Sequence, residues 1–281
     1  MTSQRTALVT GTTSGIGVEL AAQLVKAGWE LVLINRSRER TKPLIERLHA
    51  ENPSSQVTVY EADLADQDQV EAAAKQVTSS HPKIDALFNN AGVLRSEPAV
   101  SKHGHDLHFQ VNVLAAWQLT HLLRPLLSAS DERAVVVSAS SSAIGMCGPL
   151  RIDELSRPKK QGLAGAYGQS KLAVTVAMAM LAEEFRSDGI DLYAVDPGGT
   201  RTPMTKGKGA PFFVRWAQFL LPGPDKGAAK LMVPLNPAWS DRSGSLIASG
   251  RAKDIPANAD SPASRKELRT LLDKAVQMAT S

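Results

Sequence analysis

The sequence predicts a single α/β domain, a doubly wound parallel sheet with helices on both faces. Three observations carry that expectation. Short apolar runs alternate with longer helix-like stretches through residues 7–195. The runs are apolar at successive positions, as in strands buried on both faces of a parallel sheet. The first run ends in a glycine-rich turn that opens directly into a helix. At 281 residues and 30.0 kDa the chain is long enough for one large domain of this kind.

Residues 7–10 read as the first strand, and 17–27 as a helix closed by Gly28. Residues 30–34 form a second strand and 38–52 a second helix. A third strand at 57–61 leads to a helix at 67–79, and a fourth at 84–89 to a long helix at 106–127. The fifth strand covers 133–138, the next helix 166–186, and the sixth strand 190–195. Right-handed crossovers between such strands wind the sheet doubly. Residues 197–226 are punctuated by glycine and proline and read as a variable segment covering the substrate. A strand-like patch at 245–248 and a helix at 264–278 close the chain.

Apolar residues at 43% and charged residues at 21% are ordinary for a globular protein. The net charge of +4 is scattered, without the concentrated basic stripe and aromatics that nucleic acid requires. An anionic ligand accounts for the bias. The single cysteine, Cys147, excludes an intrachain disulfide and a zinc–cysteine site. The first strand starts too early to leave room for a signal peptide, and no apolar run reaches the roughly 18 residues of a membrane span. A cytoplasmic protein without an integral membrane segment is expected.

Chemistry concentrates at the strand ends. Gly11, Thr13, Ser14, Gly15, Ile16 and Gly17 make the first turn, where glycines let the backbone approach a pyrophosphate at a helix N-terminus. The spacing is Gly-x-x-x-Gly-x-Gly rather than the common dinucleotide fingerprint. An NAD-preferring site places a carboxylate about 20 residues beyond the glycines. Here the second strand ends instead in Asn35 and Arg36, and a guanidinium suits a ribose 2′-phosphate. NADP is therefore favoured, against the alternative of surface arginines opening a solvated helix. Tyr167 and Lys171 stand at i and i+4, one turn apart on a helix face, where a cation lowers the phenol's pKa and fits it for acid–base work.

These residues, with Asp63-Leu64, Asn89-Asn90-Ala91-Gly92, Asn112, a serine cluster at 138–142, Pro197-Gly198, Thr200 and Thr202, occur in one order over about residues 5–205. The sequence thereby resembles the short-chain dehydrogenases/reductases of the classical type, whose fold is Rossmann-type. The resemblance implies an NADP(H)-dependent oxidoreductase acting on a small-molecule carbonyl/alcohol pair. Tyr167 would be the general acid/base, and Lys171 would bind the nicotinamide ribose and lower the phenol's pKa. Asn112 would support a proton relay. A serine would hold the substrate oxygen: Ser140 is favoured, and a bulge at the strand end would put Ser141 or Ser138 in its place. Asp63 would touch adenine, Asn89 and Ala91 the ribose region, and Pro197, Gly198 and Thr202 the nicotinamide. The resemblance leaves open a homo-oligomer formed through the long helix and the Tyr167 helix.

The 26 residues from 141 to 166 are a long connection. With Arg151-Ile152-Asp153-Glu154-Leu155, Trp239 and Ser243-Gly244, they resemble the retinol-dehydrogenase-like branch, which implies a bulky substrate of low polarity. His103, His105 and His108 lack the spacing of a known metal site, and no metal is expected. Residues 211–221, rich in aromatics and leucine, read as a lid over the substrate, with a membrane-surface helix as the alternative. The rival to an enzyme is a dinucleotide-binding sensor or scaffold, against which the presence of Tyr167, Lys171 and Asn112 counts.

Overall fold

The computed structural model describes residues 4–158, 165–200 and 221–280. Among these, eight strands form one sheet: β1 (Thr6–Thr10), β2 (Glu30–Asn35), β3 (Val57–Glu61), β4 (Ala86–Asn89), β5 (Ala134–Ala139), β6 (Ile190–Val195), β7 (Leu246–Ala248) and β8 (Arg251–Lys253). Their order is β3-β2-β1-β4-β5-β6-β7-β8, parallel except for β8, which turns back antiparallel on β7. The doubly wound sheet is as expected, and β8 is an addition. Its three residues and exposed lysine and arginine are too short and polar to signal a strand in sequence.

Helices cover both faces. On one side lie α1 (Ile16–Lys26), α2 (Arg38–Glu51) and, after the second undescribed segment, α9 (Pro224–Leu231). The other side carries α3 (Gln67–Ser80), α4 (Leu107–Phe109), α5 (Ala115–Leu122), α6 (Arg124–Ser128), α7 (Ile152–Leu155), α8 (Ala166–Glu184) and α10 (Pro262–Thr280). The two-residue period of each strand divides the core between them. In β1, Ala7 and Val9 join the first side and Leu8 the second; in β2, Leu31 and Leu33 oppose Val32 and Ile34. Helix α8 is buried from Gly168 through Ala182 and is apolar nearly all round, so it packs against the sheet and against neighbouring helices together.

The single helix expected at 106–127 is broken. Gln110–Leu114 forms a π-helical turn between α4 and α5, and Pro125 starts α6 after a break at Leu123. Proline has no N–H for the helical ladder and its ring strikes the preceding turn. The π turn has a different cause: the buried Asn112 is held by backbone outside the helix.

Candidate active site

The first crossover runs from β1 to β2 on one flank, while β4 flanks β1 on the other. That reversal leaves a crevice beyond the carboxyl ends of the strands, where ligands of such sheets bind. A cavity of about 500 Å3 occupies it, lined from the glycine turn at one end to Tyr167 and the 140–142 serines at the other.

The glycine turn is shaped by close approach. Gly11 has φ +72°, and a Cβ there would come within 2.8 Å of the Ala91 backbone. A Cβ on Gly17 would strike the Gly11 carbonyl oxygen and the Asn90 amide. Two asparagines hold the turn in place. Asn35 accepts from Thr12 N at 2.9 Å and donates to Thr12 Oγ1 at 2.8 Å and Thr41 Oγ1 at 3.1 Å. Asn90 Nδ2 donates to the carbonyls of Thr10, at 2.9 Å, and Gly11. Thr13, Ser14, Gly15 and Ile16 follow as cavity lining, at the start of α1. A tight cradle at a helix N-terminus, with no Cβ to obstruct it, fits the pyrophosphate of a dinucleotide.

At the end of β2, Arg36 lines the cavity and is exposed, and among the described residues its guanidinium has no ion-pair partner. Asp63 and Leu64 line the same end. The Asp63 carboxylate accepts from Ala65 N at 3.0 Å, which fixes the turn after β3.

Tyr167 and Lys171 both face the cavity from the first turns of α8. The Lys171 ammonium lies 5.9 Å from the Tyr167 ring centroid and donates to the Ala139 carbonyl at 2.7 Å. Burial pushes Lys171 down from its ordinary 10.5 to about 8. Tyr167 departs from expectation: burial raises its pKa, a hydrogen bond with Ser141 opposes this, and the charge of Asp196 raises it further. The lysine lies one turn away as the spacing required, yet loss of hydration outweighs it.

The serines separate cleanly. Thr175 Oγ1 donates to the Lys171 carbonyl at 2.8 Å, since a carbonyl only accepts. The 2.8 Å contact between Ser140 and Thr175 is therefore donated by Ser140, whose hydroxyl is turned into α8 and 3% exposed. Ser138 is buried between Asn89 and Met178. Ser141 accepts from Ala143 N at 3.2 Å and hydrogen-bonds with Tyr167, in the sense that lowers the phenol's pKa. Of the serines the sequence offers, Ser140 with Ser141 or Ser138 in its place, Ser140 and Ser141 both border the cavity, and the hydroxyl beside Tyr167 is that of Ser141.

The short chain dehydrogenase profile matches residues 5–211. The chain belongs to the short chain dehydrogenase family. Mouse retinol dehydrogenase 12 is 33% identical over 199 residues, covering 71% of this chain and 62% of that protein, so the chain spans less than two thirds of its length. Bovine dehydrogenase/reductase SDR family member 13 is 33% identical over 261 residues, 91% of this chain and 68% of that protein. Among solved structures, the Pseudomonas aeruginosa RhlG/NADP active-site complex has 25% identity and a TM-score of 0.70, covering 88% of this chain and 94% of that one. The likeness places the chain in the retinol-dehydrogenase-like branch.

In this short-chain dehydrogenase two predicted residues stand away from the cavity lining. Asn89, the last residue of β4, points toward α5, where its Nδ2 donates to Thr120 Oγ1 at 3.2 Å and to Ser138 Oγ at 3.3 Å. Its neighbour Asn90 is the one in the lining. Asn112 lies beneath the loop after β4, accepting from Val93 N at 2.8 Å and donating to Val93 O at 3.1 Å and Ser170 Oγ at 2.9 Å. Ala91, Gly92, Pro197, Gly198 and Thr200 line the cavity, and Thr202 lies outside the described residues, as do 211–220.

Several lining residues escaped the sequence: Leu94, Met146 and Asp196 among them. Met146 is 58% exposed, an unusual state for methionine at the mouth of a cavity. Asp196 accepts from Gly198 N at 2.8 Å, and Lys230 of α9 donates to Pro197 O at 3.1 Å, so the turn after β6 is held from both sides. The histidines do not converge. Among the described residues one group, Asp66, Asp68 and His103, could hold a metal. Lys102 already sits against both carboxylates, at 3.2 and 2.7 Å. No helix of the described residues is long and apolar enough to cross a membrane.

Proposed function

We propose that this protein is an NADP(H)-dependent oxidoreductase that interconverts a bulky carbonyl compound of low polarity and its alcohol. The observation that carries the reading is the convergence of Tyr167, Lys171 and the Ser141 hydroxyl at one end of a cavity whose other end is a glycine cradle. The RhlG/NADP neighbour supports a nicotinamide dinucleotide, and Arg36, without an ion-pair partner among the described residues, supports the 2′-phosphorylated form. The cofactor cradle would be Gly11, Thr13 to Gly17, Asp63 and Leu64, with Lys171 at the nicotinamide ribose.

A nicotinamide held in this cavity would supply or take the hydride. Reduction builds negative charge on the carbonyl oxygen, so donors must already be aimed at it. Ser141 gives one such O–H. Tyr167 gives the other and then the proton, for a phenol whose pKa is raised by burial is in its acid form at neutral pH. Lys171, pushed down to about 8, retains a charge close to neutrality and steadies the phenolate left behind. Leu94, Val93 and Met146 make the wall beside this corner apolar, which favours a low-polarity substrate.

The test is a panel of bulky aldehydes and ketones followed by NADPH absorbance, with Tyr167→Phe beside the wild type. Turnover should disappear in the variant while NADPH binding stays within about twofold. Full activity without the phenol would sink the mechanism. NADPH binding with no turnover of any panel member or alcohol would favour the sensor or scaffold reading.

A further inference from the structure

His108 is a buried histidine that the proposed chemistry does not use, and its surroundings assign it a task. It stands in α4, capped by Asp106, whose Oδ1 accepts from His108 N at 2.8 Å. The same oxygen lies 3.1 Å from His108 Nδ1. On the other side of the ring, Nε2 is 3.1 Å from Arg95 N. A backbone N–H only donates, so Nε2 accepts and the ring proton sits on Nδ1, directed at Asp106. The imidazole thus bridges the start of α4 to the loop after β4 in one defined tautomer. Its ring also meets Tyr167 edge-on, with centroids 6.4 Å apart at 74°.

Asn112, four positions further along, grips Val93 by both its N–H and its carbonyl. Val93 and Arg95 are two apart in the loop after β4, so two side chains, one from α4 and one from the π-helical turn, hold its backbone. Val93 and the intervening Leu94 line the cavity, whereas Arg95 does not. We infer that His108 is a positioning residue that sets the shape of the substrate end: its bond to Arg95 N locks Leu94 as an apolar wall, and its ring edge braces Tyr167 from the same side. This rests on the oxidoreductase reading above.

Two substitutions separate the acceptor from the bulk. His108→Leu removes the acceptor and leaves the Arg95 N–H without a partner, while His108→Gln keeps one on a side chain of similar reach. For a bulky ketone, KM should rise about tenfold in His108→Leu, the loss of one buried hydrogen bond and its wall. The value of kcat should fall less than about threefold, NADPH affinity should be unchanged, and His108→Gln should recover most of the loss. Hydrogen exchange at the 92–96 amides should quicken at least tenfold in His108→Leu while β4 is unaffected, a readout independent of turnover. Unchanged KM and unchanged exchange would overturn the role of His108 alone. Equal losses in KM, kcat and NADPH affinity, unrelieved by glutamine, would also overturn it, since that pattern marks general damage. A wild type inactive on every carbonyl and alcohol with either dinucleotide would overturn the oxidoreductase reading and this role together.

Discussion

Replacing Ser141 and Ser140 separately by alanine tests which hydroxyl holds the substrate oxygen. Ser141 stands against Tyr167 in the cavity lining, so on the proposed mechanism Ser141→Ala removes one of the two donors facing the developing negative charge. Loss of one such donor is worth about 2.7–4 kcal/mol, or roughly a hundredfold to a thousandfold in kcat. Ser140 donates instead to Thr175, in a contact that also bears on Lys171 through the Thr175 bond to its carbonyl. Ser140→Ala removes a buried hydrogen bond with a net value of about 1 kcal/mol and opens little space. For a chain of this size that lowers the melting temperature by roughly 2–4 °C, with kcat within about threefold of wild type. The assay is steady-state reduction of a bulky ketone followed by NADPH absorbance, with thermal unfolding and NADPH titration on both variants. If Ser140→Ala lost a hundredfold in kcat while Ser141→Ala stayed active, the donor assignment drawn from Thr175 would be refuted.

Three further outcomes are expected. Arg36→Glu should weaken NADPH binding by roughly tenfold to a hundredfold, the value of one charge-assisted phosphate contact, and spare NADH; titration of both dinucleotides measures it, and an unchanged ratio would remove Arg36 from the phosphate site. Gly17→Ala should cost roughly 1–3 kcal/mol in stability and abolish dinucleotide binding, since its Cβ meets the Gly11 carbonyl and the Asn90 amide; calorimetry and titration together check this. Lys171 has a folded-state pKa depressed from 10.5 to about 8, so between those values the unfolded chain binds the extra proton and stability rises with pH. Between pH 8 and 9, below the midpoint of unfolded tyrosines, wild-type urea stability should gain about 1 kcal/mol that Lys171→Met does not show. A parallel pH dependence in the two proteins would refute the burial of that charge.

Much of the site was legible because it lies on local patterns. The glycine turn, the strand-end Arg36 and the i, i+4 pair Tyr167 and Lys171 depend on backbone geometry within a few residues, and all line one cavity. The strands from β1 to β6 were legible for the same reason, since burial on both faces writes itself into successive apolar residues. What fell short was the side-chain direction of residues at element ends. Just past Ala139, the last residue of β5, Ser140 meets Thr175 while Ser141 stands beside Tyr167, and at the end of β4 Asn89 bonds to Thr120 while Asn90 borders the cavity. Alternation makes such positions all-or-none, and sequence places strand ends only to within a residue or two.

The sequence alone determined the doubly wound architecture, the dinucleotide-cradling turn and the family of the chain, because each follows from short-range spacing of glycines, apolar runs and one helical turn. Only the tertiary structure decided that Ser140 meets Thr175 while Ser141 stands beside Tyr167, that burial raises the Tyr167 phenol, and that Asn112 and His108 hold the loop carrying Leu94. Those properties depend on hydration lost and hydrogen bonds formed between residues far apart in the chain, as between Ser140 and Thr175 or Arg95 and His108, and no local pattern records them.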